Sequence, residues 1–284
     1  MNQLLILNGD GEIQVNEAES YEGSINMPYA LGITFVQGID VFTSISSFIC
    51  DNHSITTSVD LGNKPLIKVV NFNKSYSSTQ GITSFSIVAP LLEDLQLNSN
   101  IFTQLYLANF PNKKINCNKN SLSQINVSVN TNLKYLNLHS SSVAQLNLSN
   151  NTVLRELGFL HVPLMQLVLP FNPSLFAITC FNTSLIQLDL SSCSNLKILE
   201  CLGNLTQLNI SNGNNGQIQQ IHVSSADNLV CIQIDHSYIL PDSWIKPTHT
   251  VWSDNCNYPS LSTSTKDLLN AVVVNPVQDA LQIE

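Results

Sequence analysis

The chain has 284 residues, 43% hydrophobic and only 11% charged, so it can bury a long core and must solvate it with Ser, Thr, Asn and Gln. A formal charge of −9 with only 11 basic residues argues against nucleic acid as a partner, because tracking phosphates requires a dense Lys/Arg face. The longest apolar runs, such as 157–160 and 271–274, fall far short of the ~20 residues that span a bilayer, so no membrane insertion is expected.

Residues 1–7 lack a basic stretch followed by a long apolar stretch and a small-residue cleavage site, so a signal peptide is absent or already removed. The following segment, Asn8-Gly9-Asp10-Gly11-Glu12-Ile13 with Glu17, reads as positions 3 to 12 of an EF-hand-type calcium loop. Asn8, Asp10 and the carbonyl of Glu12 supply oxygens, Gly11 the sharp turn and Glu17 the bidentate carboxylate. Position 1 is Ile6 where Asp is required, which pushes any affinity to about 10⁻⁴–10⁻³ M or abolishes it. Two readings stand: weak calcium as the sole cofactor, or an ordinary Asn/Gly/Asp turn.

Beyond this, one pattern dominates. Leu92, Leu95, Leu97 and Asn100 spell LxxLxLxxN, and the frame returns in Phe102/Leu105/Leu107, Leu122/Ile125/Val127/Asn130, Leu133/Leu136/Leu138, Val143/Leu146/Leu148/Asn151, Leu164/Leu167/Leu169/Asn172, Leu185/Leu188/Leu190 and Leu196/Leu199/Cys201/Asn204. Unit starts at 122, 133, 143, 154, 164, 175, 185 and 196 alternate by 11 and 10, so two similar halves make one coil of 21 residues. Degenerate units extend back to Val36/Ile39/Val41 and forward to Leu229/Ile232/Ile234. The last three positions of LxxLxL alternate in, out, in, as a short strand does. A single coil cannot cover its own leucines, whereas stacking buries each against the next at roughly 1.5–3 kcal/mol apiece. The recurrent Asn belongs to the turn and plays a structural part.

The nested pattern over 36–237 resembles a 21-residue class of bacterial leucine-rich repeats in which both halves carry LxxLxL. That resemblance implies a mainly β solenoid with short parallel strands on both sides of each coil and few helices. Gly38-Ile39-Asp40-Val41 leading into Cys50-Asp51-Asn52 resembles the start of the array in secreted members of the class, which often carry an NGDGEI segment. Leu229 to Asp235 with Trp244 and Asp254-Asn255-Cys256 resembles their C-terminal cap. Asn275-Pro276 with Leu281 and Ile283 resembles the NPxxxxLxI opening of a type A sorting domain of the type IX secretion system. The implied organisation is an N-terminal cap at 1–35, the solenoid at 36–237, a cap at 238–258, a linker at 259–270 and the start of a truncated sorting domain at 271–284. The implied location is secreted or on the outer cell surface.

Seven cysteines without CxxC pairing do not suggest a metal cluster. In an oxidising compartment Cys231 and Cys256, both in the C-terminal cap, can bridge or stay free. Cys50, Cys117, Cys180 and Cys201 stand where other units have Leu, Val, Phe or Ile and read as buried small hydrophobes; Cys193 replaces the turn Asn. The six histidines are scattered and no HExxH, GxSxG or phosphate loop occurs, so an enzyme is not expected.

The outward positions separate two faces. One carries Gln104, Gln124, Gln145, Gln166, Gln187 and Gln207 in register, which reads as a ladder of mutually bonded amides. The other mixes charge and aromatics, and Lys113, Lys134, Tyr135, Arg155, Phe176 and Lys197 are the candidate ligand-binding residues, with Tyr135, Arg155 and Phe176 at the centre. The expected role is recognition or adhesion toward a protein or glycan. The alternatives are an architectural spacer, or an accessory repeat region of a larger surface protein or hydrolase.

Overall fold

When a strand repeats at a constant interval along a winding chain, equivalent positions come to lie side by side, and a sequence period becomes a spatial row. The computed structural model describes residues 14–27, 32–74, 80–105, 107 and 111–258. Its strands at Ser24–Met27, Ser47–Cys50, Val69–Asn71, Asp94–Gln96, Lys114–Asn116, Tyr135–Asn137, Glu156–Leu160, Ala177–Thr183, Ile198–Gly203 and Gln220–His222 form one parallel sheet of ten strands in chain order. Lys114 pairs with Tyr135, Tyr135 with Glu156, Glu156 with Ala177 and Ala177 with Ile198, each one 21-residue coil apart. The fold is a mainly β leucine-rich repeat solenoid of about 10 such turns, and its only described α-helix is Val15–Ser20.

The repeating apolar side chains join one continuous core that runs from Ala18 to Trp244. Leu92, Leu95, Leu133, Leu136, Leu154, Leu175, Leu196 and Leu199 are all completely enclosed. The Asn positions act as turn locks. The Nδ2 of Asn151, itself fully buried, donates to the carbonyls of Val127 at 3.0 Å and Asn130 at 2.9 Å. Asn120, Asn172 and Asn212 likewise donate to carbonyls of the preceding coil. Cys193 holds the same place without the amide: its N–H reaches Leu190 and its carbonyl accepts from Asn212.

The side opposite the long sheet also carries short parallel strands, as expected, and among the described residues they fall into three separate groups. These are Val59–Asn63 with Phe85–Val88, Gln145–Asn147 with Gln166–Val168, and a four-stranded run of Gln187–Asp189, Gln207–Asn209, Cys231–Gln233 and Val251–Ser253. Pro170 follows two residues after Val168, where it removes a donor and restrains Leu169, and the ladder stops there. Gln104 and Gln124 lie outside any strand. Among the described residues no bond joins Gln145, Gln166, Gln187 or Gln207 to one another, so these four do not form the expected amide ladder. It occurs instead on the ten-stranded sheet, where Asn116 donates to Gln96 at 2.7 Å and Asn137 to Asn116 at 2.9 Å. These amides occupy the outward position between two core residues of one strand, so adjacent coils hold them in register.

Cys180 and Cys201 are not separate hydrophobes: they are register partners on adjacent strands, 4.4 Å apart at Cα, and form a disulfide. Cys50, Cys117 and Cys193 are free and buried. At Ile39–Val41 the chain makes a single 3-10 turn instead of a strand, entered through Gly38 in the left-handed region and held by the Lys64 ammonium donating to the Asp40 carbonyl at 3.1 Å.

Within 238–258, Ile245 bridges His222 on one side and Val251–Ser253 pairs with Cys231–Gln233 on the other. A disulfide joins Cys231 to Cys256, and Trp244 packs between Tyr238 and Trp252 with ring centroids 5.6 Å from each.

Candidate functional site

The ten-stranded sheet arranges the candidate residues in two adjacent rows. Backbone N–H groups of Lys113, Lys134, Arg155, Phe176 and Lys197 each donate to the carbonyl of the residue one coil earlier, so Glu93, Lys113, Lys134, Arg155, Phe176 and Lys197 make one continuous row. Tyr135 belongs to the next row, between Lys114 and Glu156. At ~4.8 Å per strand the row from Lys113 to Lys197 is about 20 Å long. Tyr135 and Phe176 are half-buried, so the face is smoother than freely projecting rings would make it.

The cations of this sheet differ in what they are bonded to. Lys113 pairs with Glu93 at 2.9 Å, Lys114 with Asp94 at 3.7 Å, and the Lys197 ammonium donates to Gln217 at 3.2 Å. Lys113 lowers the pKa of the exposed Glu93, chiefly through their hydrogen bond. Lys134 and Arg155, the two cations between them, make no ion pair or side-chain hydrogen bond. They border a shallow hollow of about 430 Å³ completed by Val153, Pro173, Ser174 and Asn195. Val153, Ser174 and Asn195 each immediately precede the first leucine of their unit, so they too stand in a row, along the turn that leads into the strands. A reading confined to strand positions passes over them, although their spacing is the same 21-residue interval.

A second, smaller hollow of about 120 Å³ opens on the same three strands, lined by Asn137, His139, Glu156, Leu157, Gly158, Leu160, Ala177 and Thr179. Its origin is Gly158: a Cβ there would lie 2.4 Å from Asn137 Oδ1 and 2.8 Å from His139 Cε1, so the sheet surface dips where the side chain is missing. His139 Nδ1 accepts from the Leu160 N–H at 2.9 Å, and burial first, then the neighbouring His161, lowers its pKa. The ring is therefore neutral near neutral pH and offers its other nitrogen as a donor.

The remaining sequence candidates fall elsewhere. Glu17 is buried in the helix Val15–Ser20, where its Oε2 accepts from the Gln14 N–H at 3.0 Å in a capping box. Asn8, Asp10 and Glu12 lie outside the described residues, as does the 271–284 segment. Among the described residues no three His, Cys, Asp or Glu side chains gather as metal ligands, and no helix is long and apolar enough to cross a membrane.

No family model and no curated protein matches the chain. Among solved structures, it is similar to the functional domain of InlJ from Listeria monocytogenes, described as including a cysteine ladder, at 14% identity and TM-score 0.37, over 78% of this chain and 70% of that one. It is also similar to a leucine-rich repeat protein of Leptospira interrogans, at 14% identity and TM-score 0.41, over 84% and 80% of the two chains.

Proposed function

We propose that the chain is a non-catalytic recognition or adhesion module that works outside the cell and binds a protein or glycan through its ten-stranded sheet. The observation that carries this reading is the concentration of positive charge on one face of an acidic molecule. Of the 11 basic residues, Lys68, Lys113, Lys114, Lys134, Arg155 and Lys197 all belong to the two adjacent rows of this sheet. Like charges on neighbouring strands repel, so a fold selected only for stability gains nothing from setting Lys134 beside Arg155. The two disulfides support an oxidising compartment.

The spacer reading draws support from the Asn locks, which stiffen the rod whatever its surface does. A glycan and protein array separates the two. Wild-type chain should give reproducible binding that the Tyr135→Ser/Phe176→Ser variant loses; a blank array, or hits indifferent to that variant, would leave the spacer.

A further inference from the structure

We infer that the hollow between Lys134 and Arg155 is a subsite for a carboxylate-bearing sugar, and that the natural occupant is an acidic polysaccharide lying along the charged row. This rests on the reading of the ten-stranded sheet as the binding face, and it adds the chemistry of the ligand.

The polar lining is uncommitted. Lys134 Nζ, the Arg155 guanidinium, Ser174 Oγ and the Asn195 side-chain amide make no intramolecular hydrogen bond, although every other cation in the row from Lys113 to Lys197 has a partner. Ser174 is held in place through its backbone, whose N–H donates to the buried Asn172 Oδ1 at 3.0 Å, and its hydroxyl is left for a ligand. Arg155 supplies a planar fork that matches a carboxylate in two parallel bonds, and Lys134, one coil away, supplies a second positive charge. A hydroxyl and an amide beside them, each able to donate and accept, suit the ring hydroxyls of a sugar. Val153 and Pro173, both exposed, provide an apolar floor for the C–H face of the ring.

An acidic peptide fits less well. Extended peptides commonly gain affinity by adding a strand to a free sheet edge, and the strands at the hollow, Tyr135–Asn137, Glu156–Leu160 and Ala177–Thr183, are paired on both sides. A peptide would meet side chains alone, and Val153 and Pro173 would have no ring to cover. The row also suits a polymer: Lys113 and Lys197 lie on either side of the hollow and can meet further acidic units by exchanging Glu93 and Gln217 for ligand groups.

The test is titration calorimetry of the whole chain with polygalacturonate, with its methyl-esterified form as a neutral polymer of the same backbone, and with poly-L-glutamate as the peptide counterpart. Polygalacturonate should bind, with affinity falling as salt rises, and esterification should weaken binding at least about tenfold. Arg155→Gln and Lys134→Gln should each weaken it about five- to tenfold, Arg155→Lys less than Arg155→Gln, and Lys246→Gln, distant in the C-terminal region, should leave it unchanged. Arg155 is exposed, so circular dichroism and melting of its variants should match wild type. Absence of polygalacturonate binding, equal binding of the esterified polymer or of polyglutamate, or indifference to Arg155→Gln would each overturn the inference. If those results accompany an array hit lost in Tyr135→Ser/Phe176→Ser, the binding face stands and only the acidic-sugar assignment falls; a blank array removes both.

Discussion

Lowering the pH should destabilise the N-terminal coils through His53 before carboxylate titration is complete. His53 is 2% exposed, and its Nδ1 accepts from the Ile55 N–H at 3.1 Å, so the proton sits on Nε2, which donates to the Phe72 carbonyl at 3.3 Å. Protonating Nδ1 breaks the Ile55 bond, whereas the Nε2–H bond to Phe72 survives in either state. Burial chiefly, with a smaller push from Lys74 and against the Phe72 bond, lowers the pKa to about 4. The unfolded chain takes up a proton near pH 6.5 and the folded chain only near 4, so the unfolded state binds more protons in between and stability falls as pH drops through that window. At about pH 4.5 the ideal loss is roughly 2.5 kcal/mol, which solvent screening near the surface turn trims to about 1–2 kcal/mol. Urea unfolding of wild type and His53→Gln at about pH 7 and pH 4.5 isolates the effect, because other groups titrate alike in both. Wild type should lose about 1–2 kcal/mol more than the variant on acidification. An NMR titration of the His53 ring with its midpoint near the unperturbed value, or equal losses in the two proteins, would refute the reasoning.

Two more perturbations probe the stacking itself. Gly158→Ala should cost about 1–2 kcal/mol in urea unfolding, because the new methyl must displace Asn137 from its 2.9 Å bond to Asn116 or push the His139 ring off the Leu160 N–H. An unchanged midpoint would mean that the dip is not maintained by the missing side chain. Asn151→Leu strips the carbonyls of Val127 and Asn130 of a donor inside the core and should cost about 2–4 kcal/mol, with faster amide exchange in the coils on either side as the visible sign.

The core rows were readable because leucine spacing carries both facts that matter, the in–out alternation within a strand and the interval between strands. What the spacing does not carry is bonding. Gln145 and Gln166 do line up in register, yet on a strand pair cut off from its neighbours their amides face outward without meeting. The shorter Asn116 and Asn137, held in the middle of a ten-strand ladder, meet readily. The turn after the second core position was unreadable for a different reason. Asn52, Ser99, Lys119, Ser140, His161 and Asn182 all adopt positive φ there, and none is glycine. The strain of about 1 kcal/mol is absorbed because the N–H groups of Ser99, Lys119, Ser140 and His161 each bond a carbonyl of the next coil, so the conformation is imposed by stacking and leaves no local signature. The Cys180–Cys201 bridge, by contrast, had a signal: the two cysteines are one coil apart at the same core position, which places them side by side once the period is applied to pairs of residues.

That same step, from positions to rows, connects the fold to the proposed function. A solenoid fixes neighbouring rows at strand spacing, and the unbroken sheet fixes it over all ten strands while the opposite side does not. A surface whose charges keep a constant interval is matched to a ligand that also repeats, and cannot adapt to one that does not. The uncommitted pair sits between partnered cations, so an acidic chain would contact Lys134 and Arg155 first, at no cost in existing bonds, and reach Lys113 and Lys197 only by displacing Glu93 and Gln217. Affinity should therefore grow with ligand length in steps, small units binding only at the hollow and longer ones recruiting the flanking lysines, a dependence that a purely structural role for these side chains would not produce.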